Sequence, residues 1–171
     1  VFSNGDEVEL IQNGTSVGKL TSGTRLAAEL PHSFLFDLTY LPGTLEAVSY
    51  KDGKEISRDT LVTTGPAKEL RLIQEKKELS ANGHEVAYIR VEIVDENGIV
   101  VPDAALRLSA AVEGVGSLAA FGSSNPITDE NYTSGTFTSY HGTATAIIRS
   151  GYQTGMCTLT VGCEGLDEKK I

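Results

Sequence analysis

The stretch Gly14-Thr15-Ser16-Val17-Gly18 fits G-x-S-x-G, the spacing that can present a serine as a nucleophile. That chemistry requires the serine on a sharp strand-to-helix turn above a parallel sheet. Here the hairpin pair Asn13-Gly14 opens the stretch, and Lys19-Leu20-Thr21-Ser22 follows without a helix signal. Ser16 therefore reads as a hairpin serine. A second stretch, Gly114 to Ala119, fits G-x-G-x-x-A after an apolar segment. Holding a dinucleotide phosphate would need a helix N-terminus immediately afterwards. Ala120-Phe121-Gly122-Ser123 leads into a loop instead, so this is a turn between two strands.

Metal chemistry has two candidate sources. The loop Gly122–Tyr132 carries Asn125, Asp129 and Glu130, oxygen donors of the kind a hard cation takes. Their spacing matches no EF-hand, and a solvated loop is the preferred reading. His32, His84 and His141 lie more than fifty residues apart, so a zinc site would need a tertiary coincidence. His32 and His141 each adjoin a turn residue and are expected at the surface. Cys157 and Cys163, six residues apart in one extended segment, would be separated by about 20 Å at ~3.3 Å per residue. A disulfide needs Cα atoms within about 7 Å. They share a face with Leu159 and Val161 and are expected as buried free thiols, which fits a reducing compartment.

Glycoside cleavage needs two carboxylates at a set separation, one of them with a raised pKa. Among the 23 acidic residues, Glu7, Glu9, Glu46, Asp59 and Glu92 sit on the outward face of alternating segments. They read as solvated charges that discourage edge-to-edge pairing. Sugar binding without catalysis has possible platforms in Tyr40, Tyr50, Tyr88, Tyr132, Tyr140 and Tyr152, although Trp is absent. No catalytic, cofactor-binding or metal-ligating residue is assigned.

The elements that would position these groups are strands. Asn4-Gly5, Asn13-Gly14, Asp52-Gly53 and Asn97-Gly98 are pairs of the kind that close two-residue hairpins. Between them apolar residues alternate: Val8 and Leu10; Ala87, Ile89, Val91 and Ile93; Ala144, Ala146 and Ile148. Period two is the mark of half-buried antiparallel strands. One helical turn is conceivable around Leu26–Leu30 before Pro31 stops it. Asp103–Gly114 is rich in helix formers, yet Ala104, Leu106, Leu108 and Ala110 alternate, so it reads as a strand.

Five strands are expected before Gly65: 7–12, 16–20, 33–38, 44–50 and 55–62. Seven are expected after Pro66: 68–73, 85–94, 106–112, 117–121, 137–139, 143–150 and 156–163. Seven strands in about 100 residues is the count of an immunoglobulin-like sandwich. Pro66 cannot donate to a ladder, and it disfavours helix at Gly65. The expectation is an all-β chain of two tandem immunoglobulin-like antiparallel β-sandwiches, residues 1–65 and 66–171.

The 171 residues are 40% hydrophobic and 22% charged, with a formal net charge of −9. Such a surface repels phosphate backbones, so no nucleic-acid partner is expected. No apolar run approaches the ~20 residues of a membrane helix. Val1-Phe2-Ser3 lacks a Met and reads as the end of a strand already under way, the mark of a piece of a longer protein.

Ser3, Asn4, Val8, Glu9, Leu10, Asn13 and Gly14, followed by Pro42, Gly43, Leu45, Ala47, Tyr50 and Gly53, carry a resemblance. The pattern resembles the immunoglobulin-like domain that follows the catalytic barrel in bacterial glycoside hydrolase family 2 proteins, the β-galactosidase family. The remainder, from Val91 to Leu166, looks like the next, invasin-like module. It departs at Gly122–Pro126, where the family often shows G-N-G-x-P. The resemblance implies that the catalytic glutamates lie on a barrel upstream, so that no residue here inherits either role. It implies a non-catalytic scaffold of a parent that hydrolyses β-galactosides, partnered by the barrel of the same polypeptide or by a second subunit. The alternative is a binding module for carbohydrate or cell surface, through loop tyrosines and the Gly122–Tyr132 loop.

Overall fold

The computed structural model describes residues 1–22 and 32–171. The helical turn expected around Leu26–Leu30 lies outside them. Every regular element among the described residues is a strand, and the strands form three antiparallel sheets. The chain divides into two compact units, Val1–Thr63 and Thr64–Ile171.

In the first unit β1 (Glu7–Gln12), β2 (Thr15–Thr21), β3 (Thr44–Lys51) and β4 (Lys54–Val62) form one sheet in the order β2-β1-β3-β4. Asn13 (φ 50) and Gly14 (φ 79) join β1 to β2, and Asp52 (φ 50) and Gly53 (φ 75) join β3 to β4. Both residues of each turn are left-handed, which matches the strand twist and which Asn, Asp and Gly tolerate. Asn4-Gly5 does not form such a turn. Gly5 is buried, and a Cβ there would stand 2.6 Å from the Tyr50 carbonyl oxygen. Close backbone approach, not a hairpin, is what calls for glycine at this position.

The expected strand 33–38 is absent. Only Ser33 pairs, in an isolated bridge with Phe2, flanked by reciprocal backbone bonds between Val1 and Phe34. Alternation makes a segment able to pair, but it becomes a strand only where a second backbone lies alongside. The described residues of this unit therefore hold four strands rather than five.

The second unit contains β5 (Glu69–Gln74), β6 (Val86–Val94), β7 (Arg107–Gly114), β8 (Ser117–Gly122), β9 (Thr136–Thr138), β10 (Thr143–Arg149), β11 (Cys157–Cys163) and β12 (Leu166–Lys170). They form two four-stranded sheets, β5-β6-β10-β8 and β12-β11-β7-β9. The alternating residues all turn inward: Ala87, Ile89, Val91 and Ile93 from β6, and Ala144, Ala146 and Ile148 from β10. Leu108, Ala110, Phe137, Leu159 and Val161 from the other sheet complete one core cluster with them. Ala146 lies between Ile89 and Phe121 in register, a small residue flanked by large ones. Each fully buried Leu, Ile or Phe in such a layer is worth about 1.5–3 kcal/mol.

The stretch 103–114, rich in helix-forming residues, is β7 from Arg107, with Leu108 and Ala110 buried. The strand β12 was not expected, because Leu166-Asp167-Glu168-Lys169-Lys170 has no apolar alternation. It is an edge strand, and its charges suit an edge. Lys169 pairs with Glu69 of β5 at 2.8 Å, tying the margins of the two sheets together.

Candidate functional site

Ser16 lies in β2 opposite Ile11, and its hydroxyl hydrogen-bonds the Glu9 carboxylate. Glu9 also accepts the Tyr50 hydroxyl at 3.1 Å, and Lys19 stands 4.4 Å over the Tyr50 ring while pairing with Glu7 at 2.6 Å. Arg58 joins Glu46 and Glu55. Hydrogen bonds from Ser16 and Tyr50, helped by the charges of Lys19 and Arg58, hold the Glu9 carboxyl below its usual range against the effect of burial. A serine nucleophile needs a base to take its proton and an oxyanion site. Ser16 instead donates to a carboxylate whose other contacts are donors and cations, and it does so within a polar cluster on one face of the sheet. Val48, in register with Glu9, is fully buried on this same face.

The acidic residues are thus less solvated than their alternation suggests. Glu7, Glu9 and Glu46 are half-buried, and of the expected outward set only Asp59 is exposed. Glu92 departs furthest: it is 6% exposed, with Arg71 at 2.6 Å and Arg90 at 3.0 Å. Two long guanidinium side chains lie over a short carboxylate and exclude water while the charge stays paired. Among the described residues, every carboxyl with a displaced pKa, namely Glu9, Glu69, Glu85 and Asp95, is displaced downward. A carboxylic acid that donates a proton near neutrality needs the reverse.

The loop Gly122–Tyr132 uses its groups internally. Glu130 accepts the Thr138 amide at 3.1 Å, the Thr138 hydroxyl at 3.1 Å and the Arg107 guanidinium. Asn125 caps the Ile127 amide at 3.0 Å. Tyr132 stacks 4.7 Å from the buried Phe137, and Asp129 is left exposed. No group of three or more His, Cys, Asp or Glu among the described residues is placed to hold a metal ion. His32, His84 and His141 are exposed, and His141 meets the Tyr140 ring edge-on at 4.1 Å.

Gly114 ends β7 and Ser117 begins β8, so the glycine-rich stretch is a turn between strands. Cys157 and Cys163 are free but half-buried rather than buried. They occupy the two ends of β11, where the core thins, and burial still pushes the Cys163 thiol up. Tyr40 and Tyr152 are 70% and 79% exposed, whereas Tyr50 and Tyr140 are half-buried.

Two carboxylates overlooked in the sequence organise backbone. Asp95, 1% exposed, accepts the amides of Gly65, Asn97 and Ile99. Glu85 gathers Lys76 and both the amide and hydroxyl of Ser80. Asp95 could have been found from Asp95-Glu96-Asn97-Gly98, since an Asp heading such a stretch commonly closes a turn on the amide two residues on. Glu85 had no local signal, because its partners are five and nine residues away.

The family model described as glycoside hydrolase family 2 C-terminal domain 5 matches residues 70–171, and a domain of unknown function matches residues 1–57. A β-galactosidase of Bacteroides ovatus is 28% identical over 165 residues, covering 96% of this chain and 19% of that protein. A β-galactosidase of Thermoanaerobacter pseudethanolicus is 33% identical over 141 residues, covering 76% of this chain and 19% of that protein. The crystal structure of a glycosyl hydrolase family 2 member from Bacteroides cellulosilyticus superposes with a TM-score of 0.94 at 30% identity, covering 99% of this chain and 23% of that one. The chain spans about a fifth of the length of the curated relatives it matches.

Proposed function

Because the chain belongs to the glycoside hydrolase family 2 C-terminal domain 5 family, we propose that it is the non-catalytic C-terminal region of a β-galactosidase-type hydrolase. Its two units are immunoglobulin-like β-sandwiches meeting at the seam Gly65-Pro66, and no residue in them is catalytic. They stabilise the parent enzyme, support its assembly or shape the approach to its cleft. Their partner is the catalytic barrel of the same polypeptide, with a second subunit as the alternative. The substrate of the parent is a terminal β-galactoside.

One observation carries this reading. The matched relatives are β-galactosidases roughly four to five times as long as this chain, and the match covers 19% of each. The pairing of Glu7, Glu46, Glu55, Glu85, Glu92 and Glu130 with cations supports it, since such carboxylates serve structure. The motif residues do likewise. Asn13 donates to the Pro42 carbonyl at 3.0 Å and accepts the Thr44 amide at 2.7 Å, clasping the two hairpins together.

Truncation of the parent enzyme just before this region tests the proposal. Turnover of a chromogenic β-galactoside at low temperature should persist, while the melting temperature falls or the oligomeric mass changes. Unchanged melting and unchanged mass would reject the scaffold role. Turnover by the isolated chain, surviving controls for contamination, would reject the non-catalytic assignment.

A further inference from the structure

We propose that the polypeptide preceding Val1 in the parent enzyme pairs with residues 34–38, adding an antiparallel strand there and filling an apolar groove on the first unit's sheet. This rests on the reading of the chain as one region of a longer hydrolase.

The ladder that such a strand would continue is already begun. Val1 and Phe34 exchange both backbone bonds: the Val1 nitrogen donates to the Phe34 carbonyl at 2.9 Å, and the Phe34 amide to the Val1 carbonyl at 2.8 Å. The Ser3 amide donates to the His32 carbonyl at 2.9 Å. In an antiparallel pair such bonded positions recur at every second residue, so the next two on this side are Phe36 and Leu38. Neither has a backbone partner among the described residues. Opposite them would stand the second and the fourth residue before Val1. A row of unpaired donors and acceptors is a template for another strand.

A groove of about 490 Å³ lies beside this open ladder. Val1 lines it, and Leu10, Leu45, Ala47 and Leu61 give it apolar surface. Leu61 is 68% exposed and faces Leu45 in register. The direction of residues 34–38 fits this groove. Ser3, where the ladder starts, shares a hydrogen bond between hydroxyls with Ser49. Further along, the Phe36 ring lies 3.8 Å from where a Cβ of Gly18 would stand, and Gly18 pairs with Leu10. At the far end Thr39 accepts the Gln12 side-chain amide at 3.0 Å, and Gln12 faces Leu45. Residues 34–38 thus run from the Ser49 end of the groove to its Leu45 end. A strand paired with them passes over Leu45 and Leu61.

The same geometry states what the strand carries. Side chains alternate along a strand, so the second and fourth residues before Val1 share the face by which Val1 lines the groove. Apolar side chains belong at those two positions. The chain's own continuation is favoured over a separate peptide because the ladder at Val1 already orients it. A separate peptide would also lose translational and rotational freedom.

Amide exchange in the full-length parent and in the 171-residue chain, read at single residues, tests the pairing. In the parent, Phe36 and Leu38 should exchange roughly tenfold more slowly or better than in the 171-residue chain. Leu35, whose amide points to the other side of the strand, should change little. Leu61→Asp should cut the protection of Phe36 in the parent about tenfold, since it sets a charge beneath the strand. In the 171-residue chain that substitution should leave exchange at Phe36 unchanged. The scaffold reading is decided separately, by melting and mass after truncation. Equal exchange at Phe36 in the two proteins would overturn the proposal. So would protection of Leu35 equal to that of Phe36, the sign of a bulky neighbour instead of a paired strand. Protection unmoved by Leu61→Asp would overturn the seating of the strand in the groove.

Discussion

Asp95 Oδ2 accepts the amide of Gly65 at 2.9 Å, thirty residues away in sequence, while Oδ1 accepts Asn97 and Ile99, each at 2.9 Å. On the other side Thr63 is fixed to Gly43, its amide donating to the carbonyl at 2.8 Å and its hydroxyl oxygen accepting the Gly43 amide at 3.0 Å. Thr64 alone separates the two anchors. Asp95→Asn retains one acceptor oxygen for Asn97 and Ile99 but turns an amide group towards Gly65. We expect that variant to lose exchange protection at Gly65 while keeping it at Ile99. Asp95→Ala should lose both and lower the melting temperature by about 5–10 °C. Equal protection at Gly65 in all three proteins would contradict the anchor.

Glu85 makes the loop 75–85 sensitive to acid. Lys76 first, and then the amide and hydroxyl of Ser80, bring its carboxyl from 4.5 down to about 2. A depressed folded-state pKa contributes stability above the unfolded value and loses it as pH falls through the folded one. Ordering of this loop should therefore be complete above pH 4.5 and decline towards about pH 2. The group is solvated, so added salt should shrink the effect. Amide shifts of Ser80 and Glu85 followed over this range would read it. In Glu85→Gln the same shifts should lose their acid step, and an unaltered step would assign it to another carboxyl.

What could be read in advance follows from which interactions are local. Val8, Leu10, Ile89 and Ala146 face inward because a strand alternates by geometry, and alternation is visible without a partner. Asn13-Gly14 and Asp52-Gly53 declared their turns because few residues accept two successive left-handed conformations. Partner-dependent features stayed hidden. Residues 33–38 alternate well but lack a neighbouring strand beyond Ser33. The charged strand β12 exists because β11 offers it an edge, with Thr160 opposite Lys170. Glu92 reads as an outward residue by parity and is buried because Arg71, twenty-one residues earlier, folds across it together with Arg90.

The core of the second unit should respond steeply to loss of volume. Phe121 is fully buried and faces Ala146 across the register, so the neighbour is too small to fill a void. Phe121→Ala should cost about 3–5 kcal/mol of unfolding free energy. Ile127→Ala, on a side chain that is 87% exposed in the adjoining loop, should change stability by less than about 0.5 kcal/mol. Denaturant titration of both variants makes the comparison, and similar midpoints would mean that the two sheets do not share one tightly packed interior.

Gly43 separates conformational cost from contact cost in the first unit. Its φ is 129, and a Cβ there would overlap the Asn13 side-chain amide. That amide holds both the Pro42 carbonyl and the Thr44 amide, so displacing it breaks the clasp between the two hairpins. Gly53 also has a positive φ, 75, but open space where a Cβ would stand. Gly53→Ala should therefore cost only the left-handed penalty, about 1–2 kcal/mol. Gly43→Ala should cost more, about 2–4 kcal/mol, because strain and two lost hydrogen bonds add. The double variant Asn13→Ala/Gly43→Ala decides the cause. If the overlap with Asn13 is what matters, removing that side chain first should leave the second substitution little costlier than Gly53→Ala. A full, undiminished penalty in the Asn13→Ala background would place the cost in the backbone of Gly43 alone.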